Sequence, residues 1–196
     1  MLALLAGLAL AAPLLPLADP YAVALGERLL PAGSPGHWLG TDQLGRDLLA
    51  RLVWGTRTSL AVGLFAVIVA ALIGTLIGLA AGYFRGWLDS LLMRAIDVLL
   101  AFPYLLLALA IVAALGPGLR NAMLAVAITF APQFARLARG QAVNASTMPY
   151  IEAARAVGVS DLRLMARYVL SNSLGPLLVQ ASLNLGSAIL QTASLG

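Results

Sequence analysis

The chain of 196 residues contains no cysteine, no lysine and a single histidine, and only 10% of it is charged. Without cysteine there can be no disulfide, no thiolate metal site and no cysteine nucleophile. Without lysine there is no phosphate-cradling loop ending in Gly-Lys, so the chain holds no nucleotide by that route. The lone histidine, His37, has no histidine or acidic partner at metal-ligand spacing, which argues against a metal centre. An intramembrane enzyme would need a convergent nucleophile, base or metal set, and none is visible. Soluble domains carry about 25% charged residues; at 10% this chain lacks the charge to cover a water-exposed globule of its size. All twelve cations are arginine and the net charge is +4. No basic cluster interleaved with aromatics accompanies it, so nucleic acid is not the expected partner.

What is present is apolar: 61% of the residues are hydrophobic. Uncharged runs occupy Leu2–Leu17, Ser59–Tyr83, Val98–Leu115, Asn121–Ala135 and Leu174–Leu195. A helix crosses lipid with about 20 apolar residues, so the runs predict an all-α polytopic membrane protein with about five transmembrane helices. Residues 1–18 form the first, 19–58 an extracytoplasmic loop, and 59–196 the membrane core with a charged loop at 147–172. Residues 1–18 can also be read as a cleaved signal peptide, but Leu2 follows Met1 directly where a basic segment belongs. Pro103 and Pro132 fall inside spans, where neighbouring helices can satisfy the freed carbonyls.

Arginine placement sets the orientation. If the first helix runs outward, Arg28, Arg46, Arg51, Arg57 and Arg120 lie outside. Arg85, Arg94, Arg136, Arg139, Arg155, Arg163 and Arg167 then lie inside, and the charged loop is cytoplasmic. An odd number of spans, and a final "QTASLG" with no polar tail, suggest a fragment. The mid-span regions carry no ionisable group, unlike those of most stand-alone secondary transporters or channels.

Several local patterns refine this picture. Gly74, Gly78 and Gly82 recur every four residues on one helix face, which predicts close approach of a second backbone. Residues His37–Leu60 predict an interfacial amphipathic helix, capped by Thr41 or Asp42, with Leu44, Leu48 and Leu52 on one face and an Asp47–Arg51 ion pair. Arg94 and Asp97, three apart, are expected to pair with each other. Gln180, Asn184, Ser187 and Gln191 make one polar stripe on the last span, suited either to interhelical hydrogen bonds or to a translocation path. In the charged loop, Ser146 or Thr147 caps a helix, Pro149 enters its first turn, and Gly158 supplies the left-handed residue that ends it. Ser160 and Asp161 then start a second helix, Asp161 at the positive end of its dipole. Ala153, Ala154 and Ala156 give the short helix a low-profile surface, flanked by Glu152 and Arg155. On these grounds alone the segment is either an interfacial connector or a docking element.

The stretch "EAARAVG", Glu152 to Gly158, resembles the Glu-Ala-Ala loop of the membrane-spanning subunits of bacterial binding-protein-dependent ABC importers. Glu152, Ala153, Ala154 and Gly158 match that pattern and Leu170 falls in place, whereas Tyr168 stands where isoleucine is usual and Ser171 replaces a proline. "HWLGTDQLGRDLLARLVWGTRTSL", "AGYFRGWLD" and "DVLLAFPYLLLALA" are similar, in order, to the dipeptide, oligopeptide and nickel branch. The resemblance covers about residues 37–196. It implies a six-helix ABC permease fold, here lacking the basic stretch before the first span and also the final span. It implies a cytoplasmic-membrane permease that imports di- or oligopeptides, or alternatively nickel chelates or other small solutes, by alternating access. It further implies no chemistry in this chain: ATP and Mg would belong to separate cytoplasmic ATPase subunits. Glu152, Ala153, Ala154, Arg155, Gly158 and Asp161 become ATPase-coupling residues. A second related permease subunit, an extracytoplasmic binding protein and membrane lipid are the remaining implied partners.

Overall fold

The computed structural model describes residues 7, 9 and 11–195, and divides the chain into two compact units, Met1–Ala61 and Val62–Gly196. Of the expected first membrane helix, residues 1–6, 8 and 10 lie outside the described residues. Gly7, Ala9 and Ala11 are helical, and Ala12–Leu14 is a single 3-10 turn. The helix does not continue to Leu17, because Pro16 forces Leu15 into extended backbone (φ −82°, ψ 136°).

The rest of the first unit is largely irregular, yet tightly bonded. Leu29 donates its backbone N–H to the carbonyl of Asp42, Thr41 to that of Leu30, and Ala24 to that of Leu44, each at 3.1 Å, so two loop segments lie side by side. The helix expected from Thr41 begins only at Leu48, with α1 running Leu48–Phe84. Asp42 is why. Its carboxylate accepts the backbone N–H groups of Leu44 at 2.8 Å and Arg46 at 3.0 Å, closing a turn instead of a cap. Asp47 is the true cap, accepting the Ala50 N–H at 2.7 Å. The expected Asp47–Arg51 pair does not form; Arg51 and Arg46 both bond Asp42 instead.

His37 occupies the space between two carboxylates, with Nδ1 2.8 Å from Asp47 and Nε2 3.2 Å from Glu27. Both acceptors are satisfied only by the imidazolium, which carries an N–H on each nitrogen. The hydrogen bond to Asp47, followed by that to Glu27, raises the His37 pKa above its ordinary 6.5. Burial works to raise Asp47, but the Ala50 N–H and then His37 outweigh it and hold that carboxyl below 3.8. Asp42 is likewise opposed by burial, yet the Arg46 and Leu44 amides and the Arg46 guanidinium bring it to about 2.

The second unit is built from helices. After α1 come α2 (Gly86–Ala101), α3 (Tyr104–Leu115), α4 (Leu119–Ala145), the short α5 (Pro149–Ala156) and α6 (Asp161–Leu195). Among the described residues there is no strand. By length and apolarity α1 and α6 each suffice to cross a membrane, and α2 with α3 make a third candidate as one broken span. That span, expected to accommodate Pro103, bends by 96°. Phe102 is extended (ψ 139°) because Pro103 excludes the helical region for the residue before it. Pro132, by contrast, stays inside α4. The 27 residues of α4 reach about 40 Å at 1.5 Å per residue. Its uncharged stretch, between Arg120 and Arg136, is the shorter Asn121–Ala135 expected from sequence.

The core of this unit is α4, which buries Ala122, Ala125, Val126, Phe130, Phe134, Ala138 and Ala142 at helical spacing. Against it lies the glycine face of α1. A methyl group at Gly74, Gly78 or Gly82 would collide with the carbonyl oxygens of Ala131, Ala135 and Arg139 respectively, and with Phe134, Ala138 and Ala142. The expected tight contact is therefore present, and its partner is α4. The expected Arg94–Asp97 pair is not: Asp97 accepts from Arg136 of α4 at 2.7 Å. Asp89 is held by Arg139 through two bonds of 2.6 and 2.7 Å. Both acids of α2 thus find partners across a helix interface rather than along their own helix.

Two outcomes follow. Gly78→Ala should lower the detergent melting temperature of the protein, because overpacking costs about 1–3 kcal/mol. Gly186→Ala, where a methyl meets nothing within 4 Å, should leave it unchanged. For His37 the folded pKa lies above the unfolded value, so its ion pairs contribute fully below pH 6.5 and fade as pH rises through the folded value. The Asp47 contribution is present above pH 3.8 and fades as pH falls through its lowered pKa. NMR titration of the His37 ring should give a midpoint above 6.5 that moves back toward it in Asp47→Asn.

Candidate functional site

The charged loop is built between the end of α4 and the start of α6. Ser146 and Thr147 do not cap α5 as expected. Their hydroxyls turn back and donate to the carbonyls of Val143 (2.9 Å) and Asn144 (2.8 Å), satisfying the open end of α4 instead. Met148, in extended backbone, is the N-cap residue, and Pro149 opens the helix with a φ already suited to it. The eight residues of α5 end in a left-handed corner at Gly158 (φ 85°). Val159 donates to the Ala154 carbonyl at 3.1 Å and Gly158 to that of Arg155 at 3.0 Å, a paired closure that needs glycine at the turn. Ser160 then enters α6 in extended backbone without a side-chain cap, and Asp161 is its first helical residue.

One face of α5 is inward. Ile151 and Ala154 are buried in the same cluster as Tyr83, Leu164 and Val169. Of the three alanines expected on the outer surface, Ala154 therefore points in, because it stands three residues from Ile151 on the same stripe. Glu152, Ala153, Arg155 and Ala156 are exposed, and Val157 and Leu162 at the corner are 81% and 74% exposed. The outward face is thus a short ridge of small and charged residues ending in two bare aliphatic side chains.

The loop is tied down by side chains from the end of α1. The Tyr83 hydroxyl donates to Asp161 Oδ1 at 2.5 Å and accepts from Arg155 Nη2 at 3.1 Å. The Arg155 guanidinium also lies over the Tyr83 ring, 5.8 Å from its centroid. Arg155 and Asp161 are both more than half exposed, so water screens these bonds and their effect is to set geometry rather than stability. Two residues on, Arg85 takes a left-handed backbone (φ 54°) and donates through Nη2 to Ser146 Oγ at 2.9 Å and the Val143 carbonyl at 3.2 Å. Sequence reading overlooked Tyr83, which ends an apolar run and looks like a span terminus. Its signal was a phenol just before the only charged residue of that turn.

Past the corner, α6 widens into a π-helical turn at Leu164–Val169, where the Leu170 N–H reaches back to Met165. Tyr168, one of the two departures from the importer loop pattern, lies within this turn, and Ser171 follows it. Tyr150 and Tyr168 both accept from Asn172 Nδ2, through the phenol oxygen at 3.2 Å and the backbone carbonyl at 2.7 Å.

The polar stripe of α6 is divided by the structure. Gln180 Nε2 donates to Asn184 Oδ1 at 3.0 Å and, across to α4, to Gln133 Oε1 at 3.1 Å. Asn184 and Gln191 are buried, while Ser187 is exposed. Asn184 Nδ2 and Gln191 Oε1 have no hydrogen-bond partner among the described residues. Gln133 was missed because it follows Pro132 inside an apolar run.

With this geometry in place, the relatives can be set beside it. Residues 74–196 match the family described as binding-protein-dependent transport system inner membrane component. The chain belongs to that family. It is a multi-pass helical membrane protein. The matched region runs from the first seam glycine to the end of α6, and so contains the whole loop. A dipeptide transport system permease protein of Alkalihalophilus pseudofirmus is 47% identical over 189 residues, 96% of this chain and 62% of the relative. A glutathione transport system permease protein of Pectobacterium atrosepticum is 47% identical over 169 residues, 86% of this chain and 56% of the relative. A protein of the same description from Escherichia coli is 47% identical over 159 residues, covering 81% and 52%. The chain thus spans between half and two thirds of the length of these family members.

Gly158→Val should open the corner locally, at a cost of about 1–2 kcal/mol for a left-handed residue with a side chain. Hydrogen exchange at the Val159 amide should then rise about tenfold, with the seam between α1 and α4 unaffected.

Proposed function

We propose that this chain is the membrane-spanning permease subunit of an ATP-driven importer of the bacterial cytoplasmic membrane, carrying di- or oligopeptides inward by alternating access. The observation that carries the reading is α5: a short helix closed by a left-handed glycine and bearing Glu152, Ala153, Ala154 and Gly158 in the importer loop pattern. The dipeptide and glutathione names of its relatives favour a peptide cargo. In this reading Glu152, Ala153, Ala154, Arg155, Gly158 and Asp161 form the coupling element, with Ala154 seating the helix from within and the others meeting a cytoplasmic ATPase. ATP and Mg belong to that ATPase. Closure of the ATPase pair displaces α5, and the membrane helices shift as packed bodies between outward-open and inward-open arrangements. A second permease subunit completes the path, to which Gln180, Asn184, Ser187 and Gln191 contribute neutral polar groups. An extracytoplasmic binding protein delivers the cargo. Gln133 joins the same set through its bond to Gln180.

Proteoliposomes holding the permease pair and its ATPases, supplied with the binding protein, should take up Ala-Ala or glutathione only when ATP is present. Glu152→Lys and Gly158→Val should abolish that uptake while leaving the amount of membrane-inserted protein unchanged; full uptake in both variants would sink the coupling assignment. Cysteine scanning provides a second check. Ala153→Cys should crosslink to the ATPase, whereas Ala154→Cys, facing inward, should not.

A further inference from the structure

The segment between α4 and α6 is held at both of its ends by one short stretch of α1 and its exit. Arg85 grips the entry at Ser146 and Val143; Tyr83 grips the exit at Asp161 and the end of α5 at Arg155. Arg155 and Asp161 approach each other only to 4.0 Å, so the phenol oxygen, between the two, is the group that joins them. The position of that phenol is itself fixed. Gly82, the preceding residue, lies against the Arg139 backbone and Ala142 of α4, so Tyr83 cannot slide along the interface without breaking the glycine seam. A push on α5 thus meets, through two hydrogen bonds, a helix end that is already locked to the centre of the bundle.

We infer that Tyr83 is a positioning residue through which displacement of α5 is passed to α1, the hydroxyl acting as the joint between Arg155, Asp161 and the long helix. This rests on reading the chain as an importer permease. A phenol with a merely structural role would contribute to stability but leave the number of cargo molecules moved per ATP untouched. A joint would do the reverse: its loss would let α5 move while α1 stays behind.

The test uses the assembled transporter, this permease with its partner permease, ATPases and binding protein. Tyr83→Phe removes the hydroxyl and keeps the ring, which belongs to the same buried cluster as Ile151 and Ala154. In proteoliposomes with Ala-Ala and glutathione as probes, Tyr83→Phe should lower uptake per ATP hydrolysed about fivefold, the low end of ordinary coupling free energies, with an unchanged detergent melting temperature. Asp161→Ala should give a similar loss, and the double variant should be no worse than either alone, as expected of groups acting as one unit. Asp161→Asn, which keeps an oxygen to accept from the phenol, should restore most of the ratio. An unchanged ratio in Tyr83→Phe overturns the inference, as do losses that multiply in the double variant.

A second readout needs no cargo. Nitroxides placed at Val157→Cys and Leu76→Cys, both exposed positions in a chain without cysteine, report the separation of α5 and α1. Trapping with ATP and vanadate should leave that distance unchanged in the parent protein and alter it in Tyr83→Phe. The same distances in both overturn the inference, whether or not either probe is carried. Absence of ATP-dependent uptake in a parent assembly that still traps vanadate counts against the importer reading alone, and the label pair then decides the role of Tyr83.

Discussion

The contact on which the second unit depends is the approach of α1 to α4 along Gly74, Gly78 and Gly82, where the glycine face of one helix rests on the backbone carbonyls of the other. In lipid the surroundings are as apolar as any leucine, so little hydrophobic gain comes from bringing two helices together. What remains is close van der Waals contact, which is steep in distance. Three glycines on one face let two backbones reach a separation that no side chain permits. With α1 placed, α4 can present Phe134, Ala138 and Ala142 to the same core and its arginines to α2. The charged residues near the helix ends are therefore not scattered over a greasy chain. Asp89 and Asp97 are held by Arg139 and Arg136, and each pair bridges two helices.

The loop between α4 and α6 uses glycine for the opposite purpose. Gly158 faces open space, and what it supplies is a backbone angle rather than room. That angle closes α5 after two turns and leaves its outer face short, alanine-rich and bare. The inner face is anchored by Ile151 and Ala154, and the ends by Arg85 and Tyr83. A helix of eight residues is too short to be stable alone in water, so α5 exists because it is packed and tethered. The same tethers tie it to the end of α1.

Farther along α6, carboxamides replace charges. Gln180 bonds Gln133 across the α4–α6 interface and Asn184 along its own helix, and Gln191 is buried about two turns beyond Asn184. Neutral amides of this kind bind polar cargo without the large desolvation cost of a buried ion.

By itself the sequence determined much that depends on near neighbours along the chain, although the helix start at Thr41 and the cap at Ser146 or Thr147 do not form. The apolar runs specified helices, the four-residue glycine period specified a face, Pro149 and Gly158 specified the limits of α5, and the pattern from Glu152 to Gly158 together with the three similar stretches before it pointed to the family. Each of these is a matter of backbone angle or helical period, settled within a few residues. The tertiary structure decided which groups meet. Asp97 chose Arg136 over Arg94, Arg51 chose Asp42 over Asp47, and His37 found two carboxylates ten residues away on either side. Ala154 turned inward, and Tyr83 reached Asp161 across 78 positions of sequence. Ion pairs and hydrogen bonds go to whatever partner packing brings within reach, and packing is a property of the whole bundle. That is why α5 could be read from the chain, and the phenol that tethers it could not.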